Sequence, residues 1–133
     1  MSRPRSHSAK LEILRVLRSA GIAMTAYKIL DAVRPRGISA PIIVYRALKV
    51  LVDDGLVHHL ASTNSYVACE SSLGEHDFVI LAICTDCATV EELFDDSILR
   101  RLCAHTTERQ FMIAINAIEI RGRCASCQRS TPP

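Results

Sequence analysis

Four cysteines stand as two pairs, Cys84-Thr85-Asp86-Cys87 and Cys124-Ala125-Ser126-Cys127, with 36 residues between the pairs. A CxxC spacing lets a turning chain aim two thiolates at one point. Four thiolates in two such knuckles suit a closed, tetrahedral structural zinc. Each pair ends a predicted strand, so a metal there would clip the first and last strands of a small sheet together and add stability. Two other chemistries use the same residues. An iron–sulfur cluster also takes four thiolates, and a lone CxxC over a helix N-terminus serves as a redox dithiol. Cys103, four residues after Leu99, reads instead as a small buried hydrophobe.

A second constellation lies in "VHHLASTNSYVAC", residues 57–69, which reads as a β-hairpin. With a turn centred on Thr63-Asn64, Leu60 faces Val67 and His58 faces Cys69. Opposed residues have Cβ atoms about 4.5–5.5 Å apart, which lets an imidazole and a thiolate reach one zinc at about 2.0–2.3 Å. Leu56, Leu60 and Val67 share that face, whereas His59 points away into solvent. His76 and Glu92 are the nearest candidates to complete the site. Such a set of two nitrogens, one sulfur and one oxygen suits zinc, since a thiolate disfavours manganese and magnesium. On spacing alone, a buried Cys69 beside a hydrogen-bonded His58 is the alternative.

These residues need elements to position them. "SAKLEILRVLRSA", residues 8–20, puts Leu11, Ile13, Leu14 and Leu17 on one helical stripe that Gly21 ends. Thr25 can cap a second helix with Ile29, Leu30 and Val33 inward. After "PRGIS", Ser39 caps a third helix with Pro41 in its first turn, running to Asp54 before Gly55. Ile43, Ala47, Val50 and Leu51 form its inner stripe, and Tyr45, Arg46, Lys49 and Asp53 lie on another face. Three short helices and a hairpin spell a winged helix-turn-helix. Arg46 and Lys49 then share a surface able to enter a major groove, where Arg reads guanine and Lys meets phosphate. The plain alternative is a solvated helix face.

The polar stretch "ESSLGEHD", residues 70–77, contains a hinge. Beyond it "FVILAIC" reads as a buried strand and "TVEEL" as a short one. "DDSILRRLCAHTT" follows as a helix with Ile98, Leu99 and Leu102 inward, and "RQFMIAINAIEIRGRC" as a long third strand. So small a sheet with one helix leaves an apolar face and bare edges, which points to dimerisation.

Composition agrees. Residues 1–68 carry ten Lys/Arg against four Asp/Glu, a balance of +6, and residues 69–133 carry six against ten, a balance of −4. A basic front half fits a nucleic-acid face joined to something else. No run of apolar residues is long enough to span a membrane. The basic N-terminus lacks the apolar core of a secretory signal. A cytoplasmic protein is expected, with its six cysteines as thiols or metal ligands.

From about Leu11 to Cys127 the chain resembles the ferric uptake regulator family, and within it the zinc uptake regulator branch. The resemblance rests on "VYRALKVLVDDGLVHH", "STNSYVAC", "CTDCATVEE" and "IEIRGRCASC", with "TNSYVAC" most typical of the zinc branch. It implies an α+β fold: a winged-helix DNA-binding domain over 1–71, a hinge over 72–77, and an α/β dimerisation domain with a structural zinc over 78–133. Cys84, Cys87, Cys124 and Cys127 match the structural ligands, and His58, Cys69, His76 and Glu92 match the regulatory zinc site. Two zinc ions per subunit follow. Tyr27 and Arg46 match DNA-reading positions, and Tyr45 lies within "VYRAL". The implied activity is that of a homodimeric, zinc-dependent repressor of zinc-uptake genes, bound to a pseudo-palindromic operator, and not of an enzyme. The chain departs from the family in four places. A ten-residue basic arm with Arg3 and Arg5 replaces the usual extra N-terminal helix. His76 alone remains of a histidine-rich cluster, about one residue off its expected distance from the first CxxC. Ala117 stands where iron-sensing relatives carry a histidine, and no His-rich tail follows Cys127. The rival readings are an iron, manganese or peroxide sensor of the same family, a CxxC thiol–disulfide protein, and an interaction module with a vestigial winged helix.

Overall fold

A computed structural model describes residues 5–69, 79–113 and 117–130. Arg3, His76 and the expected hinge over 72–77 lie outside the described residues. Helix α1 (Arg5–Ala20) starts three residues earlier than its apolar stripe suggests, which shortens the expected arm. Ala9, Ile13 and Leu17 recur every four residues and are completely buried. Leu11, expected on that stripe, is 55% exposed. At about 100° per residue it stands roughly 200° from Ile13 and Ala9, so Ala9 takes the inward place. Gly21, at φ +66°, closes the helix by donating to the Leu17 carbonyl at 3.2 Å.

A two-residue strand, β1 (Met24–Thr25), leads into α2 (Ala26–Val33). The Thr25 hydroxyl accepts from the Lys28 amide at 3.2 Å, as an N-cap should, and Ile29, Leu30 and Val33 are buried. A 3-10 turn (Arg34–Arg36) ends at Gly37, and α3 (Pro41–Asp53) follows. Its N-cap is Ala40, not Ser39, and no side chain caps it. Proline at the first helical position has no N–H to satisfy, so one of the donors that a cap serves is absent. The buried stripe is Val44, Ala47, Leu48 and Leu51, while Val50 is 40% exposed and Ile43 only half-buried. The stripe is thus rotated by one position from expectation, onto residues three and four apart that share a face.

The wing consists of β2 (Val57–Leu60) and β3 (Ser65–Ala68), with β1 on its far side in the order β1-β3-β2. Its register differs from expectation: His58 pairs with Val67, and Leu60 with Ser65. The turn is therefore four residues, Ala61 to Asn64, rather than two. Asn64 takes a left-handed φ of +46°, a conformation Asn tolerates. The shift is by two residues, so His58 and Cys69 stay on one face but lie diagonally rather than opposite.

The second sheet holds β4 (Val79–Cys84), β5 (Val90–Leu93) and β6 (Ala117–Gly122), ordered β5-β4-β6. Strand β5 runs antiparallel and β6 parallel to β4. A parallel neighbour needs a crossover, and α4 (Asp96–Glu108), capped by Asp95, supplies it. Of the strand expected over 109–124, the described residues form only Ala117–Gly122. Phe111 and Met112 are exposed ahead of it, and Cys124 leads into a short helix, α5 (Ala125–Ser130). Helix α4 buries none of its side chains: Ile98 and Cys103 are exposed, contrary to expectation, and Leu99 and Leu102 half-buried. Among the described residues nothing buries its apolar face.

Two clusters make the core. One joins α1, α2 and α3 to Val57 of the wing. The other packs Leu60 and Val67 of the wing against Val79, Leu81, Ile83 and Val90. The wing is therefore shared between the helices and the second sheet. No helix among the described residues is long and apolar enough to cross a membrane.

Candidate metal centres and nucleic-acid face

Among the described residues, two groups could hold a metal ion. The first is Cys84, Cys87, Cys124 and Cys127. Strand β4 delivers Cys84, and a turn through Ala88, at φ +64°, folds Cys87 back. Strand β6 runs beside β4 and brings Cys124, with Cys127 one turn into α5. The Sγ atoms of Cys84 and Cys127 lie 3.7 Å apart, as do those of Cys87 and Cys124. Sulfurs around one tetrahedral zinc at about 2.3 Å stand about 3.8 Å apart, so these two pairs already stand at that ion's spacing. Arg123 braces the two knuckles, donating to Asp86 at 2.7 Å and to the Cys127 carbonyl at 2.9 Å.

Ionisation within the cluster is uneven. The Cys124 amide, 3.4 Å from Cys84 Sγ, leads the backbone donors that hold the Cys84 thiol down to about 6. The Thr89 hydroxyl, 2.9 Å away, lowers Cys87. Contacts with the Cys124 and Cys84 thiols push Cys127 up to about 12. Successive thiolates in one small volume repel, and a dication removes that penalty. Cys124 stands at the start of a helix, the environment a redox dithiol favours. The convergence of all four sulfurs is what a lone dithiol does not need.

The second group is His58, Cys69 and Glu92, whose ligand atoms lie within 4.8 Å of one another. His58 comes from β2, Cys69 follows β3, and Glu92 reaches across from β5. His58 Nε2 meets Glu92 Oε1 at 2.7 Å, with the Glu92 side chain only 6% exposed. Ligand atoms of one tetrahedral zinc stand about 3.3 Å apart, so a small opening of this contact would seat the metal. His59 does point away. It is exposed, with Nε2 3.1 Å from Asn64 Oδ1 and its ring against Tyr66.

A contact that sequence reasoning missed lies one strand further on. Glu119 of β6 accepts from the amides of Ala61 and Ser62 at 2.8 and 3.0 Å, and from the Ser62 hydroxyl at 2.6 Å. The only available signal was an acid inside the apolar run "NAIEI".

In the helical unit, Tyr27 is 71% and Tyr45 54% exposed. Arg46 and Lys49 are exposed on the same helix as Tyr45. Lys49 lies 3.9 Å from Asp53 in a surface pair, which is worth little in water and leaves the ammonium free to exchange partners.

The sequence model of the family described as "Ferric uptake regulator family" matches residues 4–121. The chain is 34% identical over 119 residues to the zinc uptake regulation protein of Escherichia coli (strain K12), covering 89% of this chain and 70% of that one. It superposes on a zinc uptake regulator complexed with zinc and DNA with a TM-score of 0.82, at 31% identity, covering 96% of this chain and 83% of the other. For holo XcZur the TM-score is 0.80 at 34% identity, covering 92% and 85%. An iron-bound ferric uptake regulator from Francisella tularensis shares the fold at 17% identity, with a TM-score of 0.62. The chain belongs to the ferric uptake regulator family.

Proposed function

We propose that the chain is a homodimeric, zinc-responsive transcriptional repressor that controls zinc-uptake genes. The observation that carries this reading is the meeting of His58, Cys69 and Glu92, which come from the wing and from the second sheet. A ligand set spanning both units is what a sensor needs, because metal affinity then depends on how the units sit. His76 is the proposed fourth ligand. The domain limits follow as 1–71, 72–77 and 78–133, and Cys84, Cys87, Cys124 and Cys127 hold a second, structural zinc in each subunit.

At the regulatory site His58, Cys69 and Glu92 would hold a zinc ion, which would supply a double positive charge. His58 and Cys69 then hold the wing to Glu92, and the wing is tied to α3 by the Leu56 amide on the Leu51 carbonyl and by Val57 in the helical core. Tyr27, Tyr45, Arg46 and Lys49 form the DNA-reading face, with Arg46 directed to base edges and Lys49 to phosphate. The uncovered faces of α4 and of the sheet around Ile120 support pairing with a second copy. Two recognition helices related by a two-fold axis match a pseudo-palindromic operator. We infer a cytoplasmic location, where such DNA lies.

The likeness to relatives named as zinc uptake regulators favours zinc, and the Cys69 sulfur argues against an iron or manganese sensor. Zinc and iron titrations of operator binding by metal-stripped protein test the reading. Activation by zinc at far lower free concentration than by iron is expected, and equal response to iron would overturn it. The position of Cys124 at the start of α5 favours a thiol–disulfide protein. Reactive thiols in the zinc-loaded protein would support that alternative.

A further inference from the structure

We propose that Glu119 is a positioning residue, a metal-independent strap that seats the wing on the second sheet so that His58 and Cys69 meet Glu92. This rests on the zinc-regulated reading above and assigns a role to a residue outside its ligand set.

The argument begins with register. Leu81 pairs with Glu92 on one side and with Glu119 on the other. Residues paired across neighbouring strands point to one face, so Glu92, Leu81 and Glu119 form a single row facing the wing. Strands lie about 4.8 Å apart, which sets the two glutamates roughly 10 Å from each other. Leu81, between them, is completely buried against Leu60 and Val67. Glu92 holds the wing at His58, and Glu119 holds it at the turn.

The chemistry of the second grip is specific. The Ala61 and Ser62 amides lie in a turn, beyond the last ladder pair at Leu60–Ser65. Ala61 and Ser62 are exposed, so water competes for their amides, but a carboxylate taking two amides and a hydroxyl is a strong, charge-assisted acceptor. Because Ser62 gives its amide to Glu119, it does not extend the ladder, and the turn stays four residues long. That turn fixes the register which sets His58 opposite Val67 and Cys69 diagonal to it. One attachment would leave a hairpin free to swivel on the sheet, whereas two at separate points along it fix its direction.

Glu119→Ala and Glu119→Gln test the strap in the full-length dimer, with zinc and a competing chelating dye as probes. Hydrogen exchange at the Ala61 and Ser62 amides is expected to quicken roughly ten- to hundredfold in Glu119→Ala. Affinity for the more weakly held zinc should fall about tenfold, and by less in Glu119→Gln, which keeps the shape and one acceptor. Zinc resistant to the chelator should stay at the wild-type level, reporting an intact cysteine cluster. Unchanged amide protection, or lost protection with wild-type zinc affinity, would overturn the proposal. Should the wild-type chain take up no exchangeable zinc, the regulatory reading itself fails. The strap is then judged by the amides alone: lost protection upholds it and retained protection removes it. If Glu119→Ala does not fold, Glu119→Gln carries the same comparisons.

Discussion

Leu81 is where stability and sensing meet, and Leu81→Ala separates them. The side chain is completely buried, and truncating such a leucine costs about 2–5 kcal/mol. Its cluster is divided: Leu60 and Val67 belong to the wing, while Val79, Ile83 and Val90 belong to its own sheet. If half the loss falls on the contact with the wing, docking weakens by about 1–2.5 kcal/mol, roughly a 5- to 70-fold change in an equilibrium constant. Ile29→Ala is the matched control. Ile29 is equally buried but lies in the helical cluster, away from the second sheet. Urea denaturation followed by circular dichroism should show both variants destabilised by similar amounts. Competition with a chelating dye should show weakened regulatory zinc binding in Leu81→Ala alone. Equal loss of stability with wild-type zinc affinity in Leu81→Ala would refute the claim that docking of the wing builds the sensor site.

Other consequences can be checked separately. Cys87→Ser should remove the chelator-resistant zinc and lower the thermal midpoint, since binding energy at such a site is folding energy; metal analysis and calorimetry report both. Arg46→Ala should weaken operator binding by about 1–3 kcal/mol and relax base preference, whereas Lys49→Ala should reduce the salt dependence of binding by about one unit of slope. The pH response of the wing follows from Glu119. Burial works to raise its pKa, but the Ser62 and Ala61 donors and nearby His59 outweigh it and hold the carboxyl below the usual range. A group depressed in the folded state contributes fully above its unfolded pKa of about 4.3, and that contribution is lost as pH falls through the folded value. Ser62 amide protection should therefore persist at pH 5 and disappear only in stronger acid. Glu119→Gln should abolish that step.

Much of this was legible in one sequence because several signals were local. The Thr25 cap, the left-handed glycines at 21 and 55 and the paired CxxC motifs each follow from residue type and short spacing. The choice of wing face for His58 and Cys69 also survived, since a two-residue slip preserves side-chain parity. What failed depended on partners distant in sequence. The turn length is tied to Glu119, 57 residues from Ser62, which no hairpin rule can see. The α3 stripe missed by one position because Val50 and Leu48 are equally apolar, and only packing within the helical cluster distinguishes them. Ile98 and Cys103 were expected inside a helix face that the described residues leave open. Cys124 was expected at a strand end, but the chain turns after Gly122 and begins α5.

The central claim is that the meeting of His58, Cys69 and Glu92 couples zinc to operator binding. It is tested most directly by operator affinity measured across a buffered zinc titration, for the wild type and for Cys69→Ser, with the chelator-resistant zinc quantified in both. The wild type should gain affinity steeply over a narrow range of free zinc. Cys69→Ser should keep its chelator-resistant zinc yet need at least tenfold more free zinc to bind, since even indirect supports of a metal site cost about 10- to 100-fold. A Cys69→Ser titration that overlays the wild-type curve would contradict the account.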